Sequence, residues 1–131
     1  MNLLSLRSDD RNALRARLRD PPAMLVVGLC AAWCDTCEEF RATFARIAAS
    51  RPMALFIWLD IEDDSEIVGD VEVEDFPTLA VFSGAGTLHF GASLPHPGVV
   101  ERLLDALERG DAIAAPEAVA TLPQRLARFA A

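Results

Sequence analysis

Two continuous apolar runs, Met24 to Leu29 and Ala54 to Leu59, interrupt an otherwise mixed pattern. Runs of this length suit strands buried on both faces of a sheet. Between them, from Asp35 to Ala49, the apolar positions recur with a period near 3.6, placing Cys37, Phe40, Phe44 and Ile47/Ala48 on one stripe. That stripe predicts an amphipathic helix with a cysteine pair in its first turn. Upstream, Leu3 to Leu6 reads as a short strand. A helix then runs from an N-cap at Ser8 to about Arg19, with Leu14 and Leu18 on its inner face, and Pro21-Pro22 stops it.

The second half of the chain predicts a short helix around Asp63 to Val68. Two strands follow, Thr78 to Phe82 and Thr87 to Phe90, joined by the turn residues Ser83-Gly84-Ala85-Gly86 as a hairpin. A helix starts at Pro97 and runs to about Arg109, with Val99, Val100, Leu103, Leu104 and Leu107 facing inward, and Gly110 closes it. The order of elements is that of an α/β domain with a central mixed β-sheet flanked by helices. Residues 1–109 form that domain and residues 110–131 a C-terminal extension, where Pro116 and Pro123 each start a short helix. Leu122, Leu126 and Phe129 line up on one side. They either pack loosely on the preceding helix or offer a docking face, so the chain is expected to be a monomer or a weak dimer through this extension.

Composition adds exclusions. The 131 residues are 52% hydrophobic and 24% charged, as expected of a soluble globular domain. The longest apolar run, Ala23 to Trp33, is broken by Gly28, is too short to span a bilayer and follows five arginines, so neither a membrane association nor a signal peptide is expected. All 12 basic residues are Arg, and against 20 acids they leave a net charge of −8, a poor surface for nucleic acid. The deficit sits in the middle third. Residues 52–101 carry ten acids and no Arg, with nine of the acids between Asp60 and Asp75. Such a run is either a solvated face or a rim that selects clients with basic residues.

The candidate chemistry lies in Trp33-Cys34-Asp35-Thr36-Cys37, a C-x-x-C pair between a buried strand and an amphipathic helix. Cys34 at a helix N-terminus meets unpaired backbone N–H groups that favour a thiolate, the nucleophilic form. Cys37, one turn along on the apolar face, is shielded yet close enough to attack a mixed disulfide at Cys34. The third cysteine, Cys30, falls near the end of the buried strand, where a small apolar filler is expected. His89 in a strand and His96 between prolines read as surface or cap residues. No metal site is expected from this set. Three cysteines within eight residues point to a reducing, cytoplasmic setting rather than to a secreted disulfide framework.

Phe76-Pro77-Thr78 stands directly before a strand. Together with Trp33-Cys34-Asp35-Thr36-Cys37, with Leu59-Asp60-Ile61-Glu62 and with Val81-Phe82-Ser83-Gly84, it makes the chain from Leu3 to Leu107 resemble the thioredoxin family. The resemblance implies a thioredoxin-like fold, a cis peptide bond before Pro77, and a substrate surface formed by Trp33, Phe76 and Pro77. It also implies a thiol–disulfide oxidoreductase of protein substrates, with a redox-active disulfide Cys34–Cys37, no bound cofactor, and a thioredoxin-reductase-like electron donor.

Departures from the family pattern modulate that expectation. Asp35-Thr36 replaces the common Gly-Pro, Glu38 replaces a common Lys, Gly28 stands where a buried Asp is usual, and Trp58 stands where its partner Lys is usual. Negative charge at Asp35, Glu38 and Asp75 opposes thiolate formation at Cys34 and offsets the help of the helix dipole, which predicts a reductase or isomerase bias. Without the buried carboxylate, Cys37 must lose its proton to water or to a neighbour such as Asp35 or Glu38. The alternative is a thioredoxin-like binding or assembly module with an acidic client-binding surface and little redox activity.

Overall fold

The computed structural model describes residues 2–6, 10–19 and 22–131, so the Ser8 cap and the Pro21 stop lie outside the described residues. Its elements are β1 (Leu3–Ser5), α1 (Asp10–Arg19), β2 (Met24–Cys30), α2 (Asp35–Ser50), β3 (Ala54–Asp60), α3 (Ser65–Val68), β4 (Thr78–Ser83), β5 (Gly86–Ala92), α4 (Pro97–Leu107), α5 (Glu117–Ala120) and α6 (Leu122–Ala130). The sheet order is β1-β3-β2-β4-β5. β1, β3 and β2 run parallel, and β4 and β5 are antiparallel to their neighbours. This is the α/β, thioredoxin-like architecture expected.

Period-two alternation in the buried strands splits the core into two layers. Met24, Val26 and Cys30 of β2 and Phe56 and Trp58 of β3 face α2 and α4, packing with Cys37, Phe40, Phe44, Val100 and Leu104. The intervening residues Leu25, Val27, Leu29, Leu55, Ile57 and Leu59 face the other way, into the layer shared by α1, α3, α5 and α6. Gly28 belongs to the α2 face. A Cβ there would lie 3.2 Å from Phe44 Cζ and 3.4 Å from Trp58 Cε3, so two aromatic rings occupy the space that a side chain at this position would need.

Several boundaries shift by a few residues, and one packing expectation changes. The hairpin turns on two residues, Gly84 and Ala85, because Ser83 pairs with Gly86, whose φ of +124° suits glycine. β5 continues to Ala92 because β4 offers it pairing partners as far as Thr78. α4 ends at Leu107, and Gly110 donates its N–H to the Leu107 carbonyl at 3.0 Å.

The extension does not lie on α4, and its apolar face is not a free docking surface. Leu122 and Leu126 are fully buried in the layer that includes Leu14 and Ile67, and Phe129 packs against the same layer. Arginines fasten it. Arg125 donates from Nε to the Ile67 carbonyl at 2.6 Å and from Nη2 to the carbonyls of Val68 at 3.2 Å and Ala118 at 2.6 Å, tying α6 to α3 and α5. Arg15 Nε donates to the Ala130 carbonyl at 2.6 Å, and the Arg11 guanidinium sits over the Phe129 ring. The apolar side chains on which a dimer contact was expected are thus spent inside the chain.

Candidate active site

The site forms at the carboxyl ends of the parallel strands β2 and β3, where open α/β sheets leave a crevice. Cys30, the last residue of β2, is in register with Asp60, the last of β3, and its carbonyl accepts the Ile61 N–H at 2.8 Å. The chain then turns through Ala31, Ala32 and Trp33 into α2, for which Cys34 is the N-cap. The Cys34 N–H donates to Ala31, and its carbonyl accepts from Glu38 N. Cys34 therefore stands at the N-terminal end of α2 without a side-chain capping hydrogen bond, and Asp35 and Glu38 occupy the first turn.

Two of the nine clustered acids hold this turn in place. Asp60 Oδ2 accepts from Ala32 N at 2.7 Å, and its Oδ1 accepts from Glu62 N at 2.8 Å and Asp63 N at 3.0 Å. Glu62 Oε1 accepts from Trp33 Nε1 at 2.6 Å. Trp33 is 65% exposed, and its ring meets Phe76 edge-on with centroids 5.4 Å apart. Phe76-Pro77 is a cis peptide bond, as the resemblance implied, and the Pro77 carbonyl accepts from Ser93 N at 2.9 Å. The Trp33–Phe76 contact thus joins the turn that carries Cys34 to the loop that carries Pro77. Glu74 and Asp75 remain exposed on the approach to Pro77, and Thr36 is exposed in the first turn of α2.

The cysteine pairing differs from expectation. Cys37 is bonded to Cys30, with Cα atoms 5.7 Å apart, and Cys34 is the free thiol. The expected Cys34–Cys37 disulfide is not the one formed, and Cys30 is more than a filler. The reason is the alternation of β2. Cys30 projects onto the α2 face, where Cys37 is buried on the inner stripe of the helix, and each is only 1% exposed. Period-two alternation from Met24 was the sequence signal for that face, and the Asp60-x-Glu62-Asp63 spacing was the signal for a carboxylate capping its own turn.

A cavity of about 390 Å³ reaches Cys37 from the side of β1 and β3, lined by Glu38, Arg41, Trp58 and Asp60 among others. Glu38 is therefore placed beside the path to the buried Cys37 sulfur. His89 is not the surface residue expected: it is half-buried, and among the described residues its Nε2 has no hydrogen-bond partner. Burial pushes its pKa down, while a hydrogen bond with the Gly91 backbone pulls the other way. Among the described residues, no three His, Cys, Asp or Glu side chains cluster as metal ligands. No helix among the described residues is long and apolar enough to cross a membrane.

A mixed sheet carrying a C-x-x-C pair at the end of its central strand, opposite a cis-proline loop, is a thiol–disulfide type of domain. The thioredoxin family model matches residues 6–92, and the chain belongs to that family. It is 26% identical over 70 residues to a thioredoxin H-type of Oryza sativa subsp. indica, a stretch that covers 53% of this chain and 57% of that relative. It is 25% identical over 81 residues to a thioredoxin of Ophiophagus hannah, covering 61% and 77%. The chain thus spans little more than half of the first of these relatives. In fold it matches the germline-specific thioredoxin Deadhead of Drosophila melanogaster with a TM-score of 0.65 at 20% identity, over 79% of this chain and 98% of that one.

Proposed function

We propose that this chain is a thiol–disulfide oxidoreductase that reduces or exchanges disulfides of protein substrates in the cytoplasm. The observation that carries the reading is the free Cys34 capping α2 beside the Trp33–Phe76 contact, with Cys37 buried one turn further on. In the reduced chain, the Cys34 thiolate attacks one sulfur of a client disulfide, and the other sulfur leaves as a thiolate. Cys37, deprotonated through the cavity beside Glu38, then attacks Cys34 Sγ and frees the reduced client. The two electrons are restored by a dithiol donor, a thioredoxin-reductase-like partner that carries its own cofactor. The relatives named thioredoxins support this role.

Insulin reduction driven by dithiothreitol tests it. Cys34→Ser is expected to abolish the acceleration, and Cys37→Ser to accumulate covalent client complexes. Wild-type rates in both variants would overturn the reading.

A second reading concerns client choice. A groove of about 510 Å³ runs between the approach to Pro77 and the extension, lined by Asp70, Glu72, Glu74, Asp75, Phe90 and Val119 among others. Its charge suits a client with a basic segment beside its reactive disulfide. A pure binding module would use the same groove without the thiols, and its affinity would survive replacement of both Cys34 and Cys37.

A further inference from the structure

Cys37 is the common member of two possible bonds. It stands three residues from Cys34 on the first turn of α2, and its sulfur is joined to Cys30 across the α2 face of β2. We propose that Cys30 is a third redox-active residue of this site, which takes the disulfide over from Cys34 and so returns a free nucleophile to an oxidised chain. The inference rests on the oxidoreductase reading above and extends it by one step.

The step balances as an internal exchange. After a client is reduced, the chain holds a Cys34–Cys37 bond and a Cys30 thiol. Cys30, having lost its proton, attacks Cys37 Sγ; the Cys30–Cys37 bond forms, the Cys34–Cys37 bond breaks, and the electron pair leaves on Cys34 as a thiolate. No external oxidant or reductant is consumed, because one disulfide replaces another.

Burial gives the exchange its direction. Cys30 and Cys37 are each 1% exposed in the packed layer with Phe40 and Leu79, whereas Cys34 is only half-buried. A thiolate left on Cys30 would be desolvated in that apolar layer, while one left on the half-buried Cys34 keeps contact with solvent. The backbone positions Cys30 for this role. Its strand is in register with β3 at Asp60, and Asp60 holds Ala32, two residues beyond Cys30. The cavity beside Glu38 and Asp60 reaches Cys37, the sulfur that Cys30 attacks.

The consequence is chemical. With Cys37 tied to Cys30, Cys34 can still attack a second disulfide, but nothing remains to resolve the product. The oxidised chain therefore becomes a one-thiol reagent that holds its client covalently until a dithiol opens the buried bond.

Titration of the fully reduced, desalted chain with dithiodipyridine tests this, followed by mass-spectrometric mapping of the bonds. The wild type should release about three thiopyridones per chain: one on attack by Cys34, one on resolution by Cys37, and one when the returned Cys34 reacts again. It should finish with a Cys30–Cys37 bond and a thiopyridyl adduct on Cys34. Cys30→Ala should release about two, with Cys34–Cys37 bonded and no adduct. Cys30→Ser serves if the alanine variant does not fold. Release of about two by the wild type, with Cys34–Cys37 as the final bond, overturns the proposal, as does a third equivalent whose adduct maps to Cys30. The bond map is independent of turnover. Loss of insulin reduction by the wild type would therefore count against the oxidoreductase reading, and a Cys34–Cys37 map against the transfer alone.

Discussion

Asp60 at the end of β3 accepts a hydrogen bond from Ala32 N at 2.7 Å, joining the third strand to the turn that presents Cys34. The same carboxylate caps its own turn through Glu62 N and Asp63 N. Charge-assisted bonds of this kind are stronger than neutral ones. Asp60→Asn keeps the shape but replaces one accepting oxygen with a donor, so at least one amide loses its partner. Urea unfolding should show a loss of about 1 to 2 kcal/mol, and the insulin rate should fall with it. A midpoint equal to wild type would mean that the turn is held by something else.

Gly28 is required by the rings beside it. Replacing it with Asp puts a Cβ 3.2 Å from Phe44 and places a carboxyl among Phe44 and Trp58. Overpacking and an unpaired buried polar group together should cost about 3 kcal/mol or more. Gly28→Ala, which meets only the steric part, should cost less. If Gly28→Asp unfolds at the same denaturant concentration as wild type, the rings must have room that the structure denies them.

The extension should prove to be part of the folding unit. Arg125→Ala strands the carbonyls of Ile67 and Ala118 and leaves that of Val68 only the Val71 N–H, and about 2 kcal/mol of stability should go with them. Amide exchange in α3 and α6 should accelerate first, since Arg125 bridges them. Arg125→Lys cannot reproduce the planar fork and should recover only part of the loss. Unchanged exchange in α3 would contradict the bridge.

His89 gives the fold a pH dependence with a defined sign. Its pKa is lowered in the folded chain, chiefly by burial, so below the ordinary value of 6.5 the unfolded chain binds the proton more readily. Stability from this residue is complete above that value. It falls as the pH drops through 6.5 and levels off below the folded-state pKa. Guanidinium melts of wild type and His89→Gln between neutral and mildly acidic pH should diverge in this sense, the variant having the flatter profile. Parallel profiles would remove His89 as the cause.

The acidic groove should act on encounter. Glu72→Gln, Glu74→Gln and Asp75→Asn together should slow association with a basic disulfide peptide by about tenfold at low salt while changing dissociation little. The difference should close as ionic strength rises. Stopped-flow association that is unaffected by the three changes would leave these acids as solvated surface.

Local pattern was enough to read the element order, the buried central strands, the C-x-x-C pair and the proline loop, because apolar periodicity and helix-start chemistry act within a few residues of themselves. It also placed Leu122, Leu126 and Phe129 on one helix side. It did not say what that side covers: α1, α3 and the sheet, reached across more than fifty residues of chain from Ile67. The same limit applies at the site. Asp60, read from sequence as one acid in a charged run, is a clamp on Ala32 only because β3 and β2 end side by side. Cys30 and Cys37 are seven residues apart, but their meeting depends on which face of β2 packs against α2. Short-range chemistry therefore marked Cys34 as the nucleophile, and the packing of a helix on a sheet decided which sulfur stands next to Cys37.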